Sequence, residues 1–369
     1  MLDLEKDTLS FSFPDVHPDA KMSLVFQRTL RLPDDGKDHP LPPGLGNFPL
    51  RHVDDFKDRV PAKWLAHGGV MMPLFQSEAL WLQFGSRDIN RQGQYPFAVK
   101  ISAGKVSALT GEEWKDGLQP KDYAVIPNQP WLDGYVVEEG VVRQFIAAPL
   151  GSGFSAEEQI TGKAEHGGIQ IEVYPMKREV FERRFPKKPS FLRSMGMGGM
   201  LLDSSDISEA SPVYCAASCG DDSDEVTIGC ASLNPDMGLA AGGKMKQQVF
   251  EDPYDADDWD LTQRSRCFVH LANSLVWRAI TKMEPPSTPR TAADYTSYGL
   301  PWFDYYTDDW KSLQGTGKLK GLKTVLEMGF QKGVQLLPEN QSVSFKSDQV
   351  RVIGEQKRTK KGEVRAGSW

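Results

Sequence analysis

HGGVMMPLFQSEALWLQFGSRDINRQGQYPFAVKISAGKVSALT, residues 67–110, is the most apolar writing in the chain and decides the fold class. Within it, Phe97, Val99 and Ile101 alternate with Ala98, Lys100 and Ser102. Alternation at period two sends one set of side chains to each face of a strand. Ala103-Gly104-Lys105 then supplies a glycine free to take positive φ, and residues 106–109 return as the second arm of a hairpin. VMMPLF at 70–75 and ALWLQF at 79–84 are nearly continuous apolar runs. That pattern belongs to a strand buried on both faces or to a short buried helix. Pro73 has no N–H for a ladder, so the first run is expected at an edge or bend. The whole stretch is expected to form the middle of the main sheet.

Upstream, residues 22–32 place Leu24, Phe26, Leu30 and Leu32 on one face of a further strand, and the turn Pro33-Asp-Asp-Gly36 follows. Pro61 suits the start of a short helix that ends at Gly68. Downstream, residues 123–126, 135–138, 141–147 and 169–174 read as strands, and Ser155 with Glu158 reads as a capping box. About seven strands on short links between residues 20 and 175 predict a largely antiparallel sheet or sandwich. His-Gly-Gly occurs twice, at 67–69 and 166–168, each time just before a strand. Three residues are too few to establish an internal duplication.

Beyond residue 175 the texture changes. Residues 177–193 carry seven basic side chains against Glu179 and Glu182, whereas residues 203–260 carry fourteen acidic ones against Lys244 and Lys246. The expected division is a β-rich domain at 1–175, a basic, Gly-rich and then acidic connection at 176–210, a mixed region at 211–355 and a basic tail at 356–369. Residues 266–271 predict a strand leading into a helix from Asn273 or Ser274. Residues 318–332 predict one amphipathic helix with Leu319, Leu322, Val325, Leu326 and Phe330 on its apolar face. Residues 343–345 and 350–353 predict a last hairpin. The fold class is therefore α+β, β-rich in its first half and mixed in its second.

A net charge of −7 opposes general nucleic-acid binding, which needs a basic surface to displace counterions. Four cysteines in 369 residues do not make a disulfide scaffold, so reduced thiols and a cytoplasmic setting are expected. The first residues lack the apolar core of a signal peptide, and no run is long enough for a membrane span. Without a phosphate-cradling or dinucleotide-binding fingerprint, no cofactor is expected.

Three groups of residues invite a functional reading. Ala216-Ala-Ser218-Cys-Gly220 approximates a nucleophile elbow with alanine in its leading glycine position, with His270 as the base and Asp258 to orient it. The plain alternative is a serine in a tight turn. Cys215, Cys219, Cys230, Cys267 and His270 offer enough sulfur and imidazole for zinc. A strand at 266–271, however, would turn Cys267 and His270 to opposite faces, and buried inert thiols are the simpler account. Finally, Trp302, Phe303, Tyr305, Tyr306 and Trp310 crowd one short segment, as at a ligand site or a subunit contact, or in the chain's own core. The leading expectation is a cytoplasmic binding or assembly protein with no identifiable catalytic centre, self-associating into a homo-oligomer. A serine hydrolase and a metal-binding protein are the alternatives.

Overall fold

The structure is a computed structural model that describes residues 1–90, 92–187, 236–288, 290–305, 310–333, 341–346 and 348–353. Two large sheets dominate it. In the first, of nine strands, Glu78–Ser86 lies antiparallel between Lys21–Leu30 and Val141–Pro149. Gly134–Glu138 and Met237–Lys246 also pair with Val141–Pro149. In the second, of seven strands, the middle runs Phe97–Ala103, Ile169–Pro175, Ser265–Ala272 and Val70–Pro73. The first two junctions are antiparallel and the last is parallel. The chain is α+β and β-rich, and no helix among the described residues is long and apolar enough to cross a membrane.

The sheets share one core. Leu24, Phe26, Leu82 and Phe145 of the first and Val99, Ile101, Ile171 and Val173 of the second lie in a single buried cluster. Each such side chain contributes about 1.5–3 kcal/mol on burial. The opening stretch does not stay in one sheet: Glu78–Ser86 joins the first, while Val70–Pro73 and Phe97–Ala103 join the second. Its continuous apolar writing reflects two sheets facing each other. Strands that follow the basic and acidic connection complete both sheets, Met237–Lys246 in one and Ser265–Ala272 in the other.

Several local readings match their elements closely. The hairpin turns at Gly104 (φ +57°), and the helix after Pro61 spans Ala62–His67. Ser155 and Glu158 form the capping box of Ala156–Thr161, and Asn273 caps Ser274–Thr281. Two readings fail. The helix expected at 318–332 is two, Gly317–Lys320 and Val325–Lys332. Between them Thr324 Oγ1 accepts the Glu327 N–H and Glu327 Oε2 accepts the Thr324 N–H, at 3.1 and 2.8 Å. This reciprocal cap starts a new helix inside the apolar pattern, and Phe330 is left 69 % exposed. Nor do residues 343–345 and 350–353 form a hairpin, because Val350–Ile353 pairs in parallel with Trp302–Tyr305. Alternation marks a strand but does not name its neighbour.

Candidate functional site

Alternation along Ser265–Ala272 builds the site. Cys267, Val269 and Leu271 enter the shared core, while Arg266, Phe268 and His270 line a cleft of about 410 Å³ on the other face. Register extends that face across two more strands, with Gln170 opposite Phe268, Glu172 opposite Arg266 and Lys100 opposite Glu172. The polar halves of three alternating strands thus meet on one surface.

That surface is covered rather than solvated. Lys100 is 2 % exposed and Glu172 is fully buried. Lys100 Nζ lies 2.9 Å from Asp122 Oδ2, donates to the Lys115 and Gly117 carbonyls at 2.6 Å, and sits 4.4 Å from the Trp114 ring centroid. Glu172 accepts from Arg266 Nη2 at 2.8 Å, Arg264 Nη1 at 3.2 Å and the Tyr174 hydroxyl at 2.9 Å. A buried ion costs several kcal/mol unless it is paired and its remaining hydrogen-bonding capacity filled. Both conditions are met here.

The two His-Gly-Gly turns lie against this strand, one at each edge. Val70–Pro73 leaves the first turn and pairs along one edge, and Ile169–Pro175 leaves the second and pairs along the other. Gly69 has φ +84°, and a Cβ there would stand 2.2 Å from the Phe268 carbonyl oxygen. Gly168 has φ +62°, and its Cβ would stand 2.6 Å from the Val269 oxygen. Only glycine combines that backbone with that approach. The buried carboxylate of Glu157 ties the second turn to the hairpin. It accepts N–H bonds from His166 (3.3 Å) and Gly167 (2.9 Å), and another from the Lys105 backbone.

Three imidazoles result. His270 stacks on Trp64 at 4.8 Å, and His67 stacks on Phe268 at 4.8 Å and lies nearly parallel to His270, with ring centroids 6.1 Å apart. His270 Nε2 is 3.0 Å from the Gly68 oxygen. A carbonyl only accepts, so Nε2 carries the proton and Nδ1 the lone pair. Burial lowers the His270 pKa to about 4. Burial, helped by the charges of Lys63 and Lys105, also holds His67 and His166 below the usual range. All three rings are neutral at pH 7. Arg266 is shared between Glu172 and Asp116, the latter at 3.1 Å. Lys105 lines the same cleft and has no ion-pair partner among the described residues.

The residues singled out in the sequence fare differently. Ser218, Cys215, Cys219, Cys230 and Tyr306 lie outside the described residues. Asp258 caps a short 3-10 turn and accepts from Arg184 Nη2 at 2.6 Å; its carboxylate is engaged there and not with His270. Cys267 and His270 do face opposite ways, and burial pushes the Cys267 thiol up to about 12. Among the described residues no three His, Cys, Asp or Glu side chains are placed to hold a metal. The aromatic segment packs within its own chain. Trp302 is fully buried edge-on to Phe345 at 5.0 Å, Tyr305 meets Trp131 at 4.9 Å, and Phe303 exchanges backbone hydrogen bonds with Leu41. Trp310, 39 % exposed, lies 6.5 Å from Phe250.

Sequence reasoning missed His67, His166, Lys105 and Arg266 as members of one site. The signal was the repeated His-Gly-Gly before a strand, which marks two turns pressed against a common neighbour. No family model, curated protein or solved structure matches the chain.

Proposed function

We propose that the protein is a binding protein that takes a small phosphate- or carboxylate-bearing ligand in the cleft between the two His-Gly-Gly turns. One observation carries this reading: neutral imidazoles and a lysine with no ion-pair partner among the described residues converge on a single strand whose own arginine is already paired. A neutral imidazole offers one donor and one acceptor. The His67 ring lines the cleft and has no hydrogen bond to any described residue. Lys105 supplies the charge, which is worth more beside a partly buried surface than in open water. Calorimetry with inorganic phosphate and with citrate tests the proposal. Lys105→Met and His67→Ala should each weaken binding about tenfold, equivalent to about 1.4 kcal/mol. If neither anion gives heat, or both variants bind as the parent does, the proposal fails.

A serine hydrolase is the second reading, supported by the neutral His270 ring with its lone pair on Nδ1. A fluorophosphonate probe decides it, with a Ser218 adduct expected and an unlabelled Ser218 ending it. Assembly into a homo-oligomer is a separate proposal, and light scattering that finds a monomer at every concentration removes it.

A further inference from the structure

The cleft is polarised along its length. His270 stands beside His67 at the end where the two turns press on the strand, and the Lys105 charge acts on both His67 and His166. Four residues along the same strand, about 13 Å away, Arg266 meets the exposed carboxylate of Asp116 at 3.1 Å. Gln170 faces Phe268 across the ladder, midway between these ends.

The fold engages the polar neighbours of Gln170 and leaves Gln170 itself unengaged. The Ser102 hydroxyl donates to the Gly104 carbonyl at 3.0 Å, Glu172 is bonded to Arg266 and to the Tyr174 hydroxyl, and Lys100 is paired with Asp122. Gln170 is only 6 % exposed, yet its side-chain amide has no hydrogen bond to any described residue. Both polar atoms of that amide keep accessible surface, and the residue lines the cleft. So deeply placed an amide is almost always hydrogen-bonded in a folded protein. Its oxygen accepts and its nitrogen donates in one plane, and the matching partner is another flat donor–acceptor edge, such as glutamine meets on a nucleobase.

Size and walls narrow the choice. At about 410 Å³ the cleft falls within the usual range for organic ligands, about 300–1,000 Å³. An inorganic anion would leave most of it unfilled. Phe268, opposite Gln170, and Trp114 add flat apolar wall. We infer that the ligand is a nucleoside monophosphate, its phosphate held at Lys105 and the histidines and its base edge paired with the Gln170 amide about 7 Å further along the strand. The inference rests on the anion reading above and names the molecule that carries the anion. Small carboxamide acids offer a similar edge, but they have no ring for the two aromatic walls.

Calorimetry on the parent protein compares three ligands. Adenosine monophosphate carries both groups, ribose 5-phosphate keeps the phosphate without the base, and succinamate joins a carboxylate to a carboxamide without a ring. Adenosine monophosphate should bind about tenfold more tightly than either of the others. The side-chain amide NMR signals of Gln170 should move with adenosine monophosphate and stay still with ribose 5-phosphate. Gln170→Leu, similar in volume, should remove the tenfold advantage of the base, whereas Lys105→Met should weaken both phosphates and keep their ratio. Ribose 5-phosphate binding as tightly as adenosine monophosphate, or an unmoved Gln170 amide, overturns the inference and leaves the anion cleft standing. Succinamate matching adenosine monophosphate overturns it in favour of a carboxamide ligand. No binding by any of the three removes the anion reading together with it.

Discussion

Gly69→Ala and Gly168→Ala probe the feature that creates the cleft, the pressing of two turns against Ser265–Ala272. Each alanine would carry a left-handed backbone, which costs about 1–2 kcal/mol. Each would also drive its Cβ into a backbone oxygen, at 2.2 Å for Gly69 and 2.6 Å for Gly168. No side-chain rotation relieves a clash with backbone, so turn or strand must move, at about 1–3 kcal/mol. Displacing the first turn also loosens the bond from Val53 N–H to the Gly69 oxygen, and displacing the second loosens that from Gly104 N–H to the Gly168 oxygen. Each of these is worth about 1 kcal/mol. Together they give about 3–6 kcal/mol per substitution, a large part of the roughly 5–15 kcal/mol that stabilises a typical domain. Gly140 is the control, since its φ is +72° but a Cβ there meets nothing within 4 Å. Urea denaturation of the three variants should show Gly140→Ala losing only the conformational share, about 1–2 kcal/mol. Equal losses in all three would refute the argument from close approach.

Three further outcomes follow from the same buried polar layer and its surroundings. Lys100→Met removes the only ion-pair partner of Asp122 among the described residues and should cost about 3–5 kcal/mol in denaturant unfolding; adding Asp122→Asn should recover part of that loss, and a neutral single variant would contradict the pairing. Asp133 is buried with its pKa raised to about 7, so its folded-state carboxyl keeps a proton that the unfolded chain releases near pH 4. Stability is therefore lost as pH rises from about 4 to 7, and Asp133→Asn should raise stability at pH 8 by at most about 4 kcal/mol; a destabilised variant at that pH would rule this out. His270 runs the other way: its folded pKa of about 4 lies below the unfolded 6.5, so its contribution is complete above pH 6.5 and falls away toward pH 4. The loss is about 3 kcal/mol, and His270→Gln should flatten that acid limb, so an unchanged acid limb in the variant would count against a neutral buried ring.

Much of the fold was legible because local rules decided it. Alternation found Lys21–Leu30, Ile169–Pro175 and Ser265–Ala272, and cap chemistry found Ala156–Thr161 and Ser274–Thr281. Cap chemistry was also overlooked at Thr324, where Glu327 completes a box inside an apolar pattern that otherwise runs on. Strand partners were illegible, since neither the parallel pairing of Val70–Pro73 with Ser265–Ala272 nor that of Val350–Ile353 with Trp302–Tyr305 leaves a trace in either run. The candidate site was hidden for the same reason. Lys100, Gln170 and Glu172 look like the solvated side of their strands, and only the sheet order and the Trp114 loop reveal that they are covered. His67 and His166 are nearly a hundred positions apart, and a shared neighbour strand brings them to one cleft.

The most direct test of the anion-binding cleft is a phosphate titration followed by the imidazole NMR signals of all six histidines. Binding in the cleft predicts saturable shifts at His67 and His166, a smaller response at the buried His270, and none at His17, His39 or His52. Shifts spread evenly over the six rings, or confined to those outside the cleft, would contradict it.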